Sequence, residues 1–171
     1  RHLDPVLVFD YNGWIPQKRK FKNYIIVYGY DYRISDPAII NAVKTFAQEN
    51  SLQTIALGME QSWCDTTYLP TPFELLGIFR DADYVVTDTF HGTVFSLKYQ
   101  KPFVTFVRES NKQKLIDLLE TFSLTNRIVS DTSKLAKQLK EKLNREAIQT
   151  TIARGIRKTE SYFEHNLSSK I

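Results

Sequence analysis

The stretch DADYVVTDTFHGTVFSLKYQKPFVTF, residues 81–106, is the part of this chain that determines its predicted fold. The β-branched and aromatic run Tyr84–Thr87 predicts a short strand, and residues 92–99 place apolar side chains at helical spacing. A second strand is predicted at Phe103–Val107, and His91 lies at the junction between the first strand and the helix. This order of strand, loop, helix and strand is typical of α/β proteins.

Polar residues crowd that junction. In an open α/β sheet, ligands bind at the carboxyl ends of the strands, because helix N-termini there present free backbone N–H groups and the positive end of the helix dipole. Asp88, Thr89, His91, Gly92 and Thr93 occupy this position, which predicts a site for an anionic ligand. The same pattern also fits a purely structural role, in which Asp88 or Thr89 is the N-cap and His91 only caps the helix.

Further strand and helix signals extend this pattern along the chain. Strands are predicted at 24–28, 54–57 and, weakly, 127–129. Helices are predicted to open at Ser35 or Asp36, near Thr71, after His91, at Asn111 and at Asp131 or Thr132. Strands that alternate with single helices favour βαβ units. The predicted fold is therefore α/β, a Rossmann-like parallel sheet flanked by helices.

The two ends of the chain have a different character. Residues 1–22, with a strand candidate at Val6–Phe9, are predicted to be a connector from a missing N-terminal half, since the first residues look like the middle of a longer protein. Residues 23–144 would form the Rossmann-like donor-binding domain and residues 145–171 a C-terminal helix. A break in the long helical pattern is expected near Asn144 or Gly155.

Composition limits the classes of function. The chain has 171 residues, a net charge of +4 and no apolar run of the roughly 20 residues that a membrane span needs. Its basic residues are spread out, which disfavours nucleic-acid binding, whereas basic helices admit peripheral association with a membrane surface. The single cysteine, Cys64, excludes an internal disulfide framework and a multi-cysteine metal site, and it favours a reducing, cytoplasmic compartment.

Residues 81–106, followed by the basic segment 111–114 and LIDLLETFSLTNRIV, resemble the polysaccharide pyruvyl transferase family. Weaker matches are LDPVL at residues 3–7 and the helix at Pro72–Leu76. The resemblance covers nearly the whole chain but only the C-terminal half of a typical member. It implies the C-terminal half of a GT-B-type two-domain enzyme, with the ligand in the cleft between two Rossmann-like halves.

The resemblance also implies a reaction. A pyruvyl group would move from phosphoenolpyruvate to two hydroxyls of a sugar in a bacterial surface polysaccharide or its lipid-linked precursor, giving a cyclic ketal and inorganic phosphate. No cofactor and no metal are expected. The expected location is the cytoplasm, at the inner face of the membrane where the acceptor is lipid-linked.

Residue roles follow from the resemblance position by position. His91 matches the donor-associated histidine and is the expected catalytic residue, as general acid or as donor to the phosphate. Substrate binding is assigned to Asp88, Thr89, Gly92 and Thr93, together with Arg108 and Lys112. The family's basic residue after the following strand falls near Asn111, so Arg108, Lys112 and Lys114 all remain candidates, and an arginine expected from the N-terminal half has no counterpart.

Two other functions fit the same sequence. The first is a GT-B glycosyltransferase half that binds a nucleotide sugar, although Glu109 and Asp131 are poor candidates for the carboxylate that would hold the ribose. The second is a non-catalytic binding or assembly domain. The loop after the first strand, residues 28–33, would line the same sheet edge as His91, and a packed aromatic loop is the favoured interpretation of it. Cys64 has no neighbouring base and is expected to be inert.

Overall fold

The computed structural model describes residues 3–167 of the chain. Five parallel strands form one sheet in the order β3-β2-β1-β4-β5. The strands are β1 (Tyr24–Tyr28), β2 (Gln53–Leu57), β3 (Thr66–Tyr68), β4 (Tyr84–Thr87) and β5 (Phe103–Thr105). The helices are α1 (Pro5–Val8), α2 (Pro37–Glu49), α3 (Pro72–Asp81), α4 (Phe90–Lys98), α5 (Lys112–Thr121), α6 (Leu135–Lys140) and α7 (Arg145–Leu167).

The strand order reverses direction at β1. The chain moves outward from β1 to β2 and β3, and it then returns to the other side of β1 to form β4 and β5. Ile26 therefore pairs with Ile55 on one side and with Val85 on the other. Ligands of open α/β sheets bind at such a switch point, outside the carboxyl ends of the strands. Here that point lies between the loop after β1 and the N-terminus of α4, which carries His91.

Helices cover both faces of the sheet. Tyr24 and Ile26 contribute to a larger core with side chains of α3, α4, α5 and α7, whereas Ile25 and Val27 pack on the other face against α2 and α6. All four of these β1 side chains are fully buried. A strand covered on both faces is apolar at every position, which explains the continuous run YIIV.

Helix starts follow the predicted capping signals. The Asp36 carboxylate accepts from the amide of Ala38, and Thr71 and Glu74 form a capping box at the start of α3. α4 begins at Phe90, two residues earlier than its apolar pattern indicates, with Thr89 as N-cap. His91 therefore lies inside the first turn of α4 rather than ahead of it.

The prediction of a strand at Val6–Phe9 is wrong, because residues 6–8 belong to the short helix α1 and Phe9 is its C-cap. Asp4 accepts from the amide of Val6 and Pro5 is the first helical residue, and this N-terminal signal overrides the β propensity of the valines. The packing of Leu7 and Ile15 into the main core ties residues 3–22 to the sheet domain.

The weak strand predicted at 127–129 is reduced to one bridge, between Thr105 and Ile128, because a 3₁₀ helix occupies Thr125–Arg127. Arg127 is fully buried and donates to the carbonyls of Gln138 and Glu141, which lie at the end of α6. The short polar strand β3 was not predicted.

The expected break near Asn144 is confirmed, since α6 ends at Lys140 and α7 begins at Arg145. α7 continues through Gly155, where the absence of a side chain makes room for Leu3: a Cβ at Gly155 would lie 2.2 Å from the Leu3 Cδ1 atom. Residues 1, 2 and 168–171, which belong to the predicted connector and C-terminal helix, lie outside the described residues.

Candidate functional site

A cavity of about 160 Å³ lies at the carboxyl ends of β1, β2 and β4. Its walls come from the ends of these strands, the loops that follow them and the start of α4: Tyr28, Gly29, Tyr30, Leu57, Gly58, Met59, Thr89 and His91. Two of the predicted site residues, Thr89 and His91, thus line one cavity at the switch point. No acidic side chain lines this cavity within residues 3–167.

The first turn of α4 presents free amides beside this cavity. Thr89 Oγ1 accepts from the amide of Gly92 at 2.9 Å, and the carbonyl of Thr89 accepts from the amide of Thr93 at 3.3 Å. The amides of Phe90 and His91 donate to no acceptor in the described part of the chain. These two amides and the helix dipole can therefore bind an anion.

His91 is exposed at the edge of the cavity. Its ring lies 5.6 Å from the ring of Phe90 and 6.1 Å from that of the buried Phe95, measured between centroids. Within residues 3–167 the imidazole nitrogens form no hydrogen bond. The imidazole thus lies beside two aromatic rings, and its nitrogens are available to a ligand.

Buried threonines connect the α4 N-terminus to the sheet through hydrogen bonds. Thr87 donates to the carbonyl of Tyr28 at 2.6 Å and contacts the Thr89 hydroxyl at 3.0 Å, so it connects β1 with the N-cap. Thr93 is fully buried and donates to the Thr105 hydroxyl at 3.3 Å. Gly92 is also buried. Gly92 and Thr93 therefore contact the sheet rather than the cavity.

Asp88 and Arg108 form an ion pair behind the cavity. Arg108 Nε donates to Asp88 Oδ2 at 2.5 Å, and the Asp88 side chain is fully buried while that of Arg108 is 36% exposed. Arg108 Nη2 donates to the carbonyl of Arg33. Neither side chain lines the cavity. The structure brings these two predicted residues together, although they are distant in sequence.

The two other basic candidates point elsewhere. Lys112 is exposed and pairs with Glu109 at 3.2 Å. Lys114 lines a separate cleft of about 370 Å³ between α5 and α7. Neither lysine lines the cavity beside His91.

Sequence reasoning did not identify the residues that hold the loop after β1. Gln61 is almost fully buried and donates to the carbonyl of Tyr30 at 3.0 Å. The indole N–H of Trp63 donates to the carbonyl of Ile34, also at 3.0 Å. Their position in the sequence could have indicated this contact, because they follow β2, and β2 neighbours β1 in the sheet. Next to them, burial raises the pKa of the Cys64 thiol to about 12, which fits the expectation of an inert thiol.

Residues 3–167 lack both a metal-binding cluster and a membrane-spanning helix. No group of three or more His, Cys, Asp or Glu side chains in this range could hold a metal ion. No helix in the range combines the length and the apolar character that are needed to cross a bilayer.

Sequence comparison gives one family match. A sequence model described as polysaccharide pyruvyl transferase matches residues 3–110, which include the whole α4 N-terminus and Arg108. No curated protein matches the chain in sequence.

Similar solved structures include the spinosyn forosaminyltransferase SpnP, with a TM-score of 0.52 and 13% sequence identity over 85% of this chain and 42% of that one. The glycosyltransferase SnogD from Streptomyces nogalater has a TM-score of 0.50 and 11% identity over 87% of this chain and 43% of that one. The chain therefore spans less than half the length of either structure. At this identity the likeness concerns the fold alone, and it confirms the predicted α/β fold, a Rossmann-like parallel sheet that resembles one half of a GT-B-type enzyme.

Proposed function

Given that this chain belongs to the polysaccharide pyruvyl transferase family, we propose that it transfers the pyruvyl group of phosphoenolpyruvate to a sugar of a bacterial surface polysaccharide or its lipid-linked precursor. The product is a cyclic pyruvate ketal, and inorganic phosphate is released. The observation that carries this proposal is the exposed His91 beside two free amides at the N-terminus of α4.

The reaction balances without an oxidant or a cofactor. A sugar hydroxyl forms a C–O bond to the enol carbon C2, its proton is lost, and the methylene carbon C3 gains a proton to become a methyl group. A second hydroxyl then forms a C–O bond to C2 as the bond from C2 to the phosphate oxygen breaks. The phosphate leaves with both electrons of that bond, and the second hydroxyl proton is released.

The cavity suits each part of this donor. Phosphoenolpyruvate carries a phosphate and a carboxylate, and the free amides of Phe90 and His91 would bind one of these anionic groups. Leu57 and Met59 also line the cavity and give part of it an apolar character that suits a methylene carbon. His91 then acts as the general acid toward C3 or as the donor to the departing phosphate.

The rest of the reaction needs an acceptor site. The similar glycosyltransferases are about twice as long as this chain, and we propose that a second Rossmann-like domain faces His91 and supplies acceptor contacts and further cationic groups. A lipid-linked acceptor would place the enzyme at the cytoplasmic face of the membrane.

The test is phosphate release from phosphoenolpyruvate in the presence of an acceptor saccharide, followed by ³¹P NMR. His91→Ala and His91→Gln should lower kcat by about 10²-fold or more, the loss expected on removal of a catalytic acid. His165→Gln, near the end of α7, is the matched control and should retain activity. Turnover close to wild type in both His91 variants would remove this residue from the mechanism.

A binding experiment distinguishes the donor class. Calorimetry should detect phosphoenolpyruvate but not UDP or a UDP-sugar, because no acidic side chain lines the cavity in residues 3–167 to hold a ribose. Preferential binding of UDP would instead support a nucleotide-sugar glycosyltransferase.

A further inference from the structure

Three neighbouring loops meet at the carboxyl edge of the sheet behind the cavity. They follow β1, β4 and β5, which are adjacent strands. Asp88 belongs to the loop after β4, Arg108 and Asn111 to the loop after β5, and Arg33 to the loop after β1. Whatever joins these loops also sets the position of the cavity wall relative to His91.

Arg108 makes this junction. Its Nε atom donates to Asp88 Oδ2 at 2.5 Å, and its Nη2 atom donates to the carbonyl of Arg33. Asn111 adds a second connection, since its side chain donates to the Asp88 carbonyl at 2.8 Å and accepts from the Arg108 amide at 3.0 Å. One planar guanidinium thus spans two loops, a geometry that a lysine cannot reproduce.

Asp88 needs this arginine for its burial. Its side chain has no exposed surface, and within the described residues its Oδ1 atom has no hydrogen-bond partner. A buried carboxylate is costly unless a cation neutralises it. Asp88 Oδ1 also lies directly beneath the cavity wall, because a Cβ at Gly29 would approach it to 2.8 Å. Arg108 thus neutralises the buried carboxylate through Nε and holds the Arg33 carbonyl through Nη2.

We propose that Asp88 and Arg108 are a positioning pair, which fixes the loop at residues 29–34 against the N-terminus of α4 and acts on the reaction through His91 and the cavity wall. In this role neither side chain contacts the donor, which differs from the substrate-binding role that the family resemblance implies for them. The structural part of this proposal is independent of the reaction, and its kinetic part depends on the proposed function.

Hydrogen–deuterium exchange of the intact protein tests the structural part. Arg108→Lys keeps a charge beside Asp88 but cannot also reach the Arg33 carbonyl. The amide of Arg33, which donates to the carbonyl of Tyr30, should then exchange at least about tenfold faster, the change expected from loss of one charge-assisted hydrogen bond. Exchange in the middle of α5 should not change. Arg157→Lys on the exposed face of α7 is the matched control, and unchanged exchange of the Arg33 amide in Arg108→Lys would overturn the proposal.

Asp88→Asn provides a second variant in case Arg108→Lys does not fold, because the half-exposed Arg108 can be solvated when its partner loses charge. It should accelerate exchange of the same amide. Asp131→Asn, at an exposed carboxylate that also caps a helix, is its control. Normal exchange in the folded Asp88→Asn protein would equally contradict the proposal.

Kinetics separate a positioning pair from a donor clamp. As a positioning pair, Asp88→Asn and Arg108→Lys should both lower kcat by about 10²-fold, with KM for phosphoenolpyruvate within roughly threefold and a double variant no worse than either. A clamp predicts the opposite pattern, in which Arg108→Lys raises KM and Asp88→Asn lowers it by releasing Arg108 to the anion. If the wild-type protein does not turn over phosphoenolpyruvate, the proposed function fails, and the exchange result still decides the positioning role.

Discussion

Gly92 has neighbours that leave no room for a side chain. A Cβ built on this residue would lie 2.1 Å from Thr87 Oγ1 and 2.8 Å from Thr89 Oγ1. Both hydroxyls belong to the hydrogen-bonded connection between β1 and α4. The glycine after His91 is therefore explained by the close packing of α4 on β4. A side chain at this position would collide with the threonine hydroxyls, whereas the backbone angle is one that any residue can adopt.

The prediction is that Gly92→Ala destabilises the protein by about 1–3 kcal/mol, the usual cost of overpacking a filled core. Urea denaturation measures this difference. Gly13→Ala is the matched control, because a Cβ at Gly13 meets no atom within 4 Å, and its effect should stay within about 0.5 kcal/mol. Equal stability of the two variants would show that the Thr87 contact can relax.

Single residues also show how far the sequence predicts the site. Thr89 and His91 were identified because a polar cluster between a strand and a helix marks a sheet edge. The sequence does not predict the pairing of Asp88 with Arg108, because this pairing depends on β4 and β5 being neighbours and on the direction in which each loop turns. The buried Arg127 was equally unpredictable, since its acceptors are the carbonyls at the end of α6.

At the scale of elements, the start of α4 determines where the two free amides point. The Thr89 hydroxyl fixes this end by accepting from the amide of Gly92. Thr89→Ala should therefore cost about 1 kcal/mol in the free energy of unfolding, as is usual for loss of an N-cap. Thr89→Ser retains the hydroxyl and should lose only a fraction of this. A serine variant as unstable as the alanine variant would assign the effect to the lost methyl group.

Element prediction succeeded where two local signals agreed. α2 and α3 combine an N-cap, a proline at the first helical position and an apolar face, and both begin where predicted. The sequence does not predict α1, because a helix of four residues is too short to show helical periodicity and its run of valine and leucine favours a strand. β3 was missed because its sequence TTY is short and polar, and it is a strand only through its pairing with β2.

For the molecule as a whole, burial of weak acids predicts sensitivity to alkali. Burial raises the pKa values of Tyr24 and Tyr28, and it raises those of Cys64 and Tyr99 to about 12. In an unfolded chain the pKa of cysteine is about 8.5 and that of tyrosine is about 10. Between these values and the folded pKa, the unfolded chain has released protons that the native protein still holds, so stability decreases as pH rises.

The contribution of these groups to the free energy of unfolding should therefore be constant up to about pH 8. Above its unfolded pKa, each group should lower the free energy of unfolding by up to about 1.4 kcal/mol per pH unit. Guanidinium denaturation, repeated at about pH 7, 8, 9, 10 and 11, measures this slope. Tyr99→Phe should flatten the decline above about pH 10, with the exposed position Tyr32→Phe as control. Lys98 and Lys101, whose pKa values burial lowers, contribute with the opposite sign. The burial argument is therefore contradicted if Tyr99→Phe leaves the slope above about pH 10 unchanged.

The strand order also has a consequence for how the chain folds during synthesis. β1, at the centre of the sheet, emerges from the ribosome before both of its neighbours, and its second partner β4 emerges only after β2, β3 and α3. Until then one edge of β1, with its continuous apolar sequence, has no partner and is open to intermolecular pairing. The insertion of β4 closes that edge and, in the same step, brings the His91 turn against β1. Pairing of the central strand on both edges and formation of the candidate site thus depend on one late, non-local event.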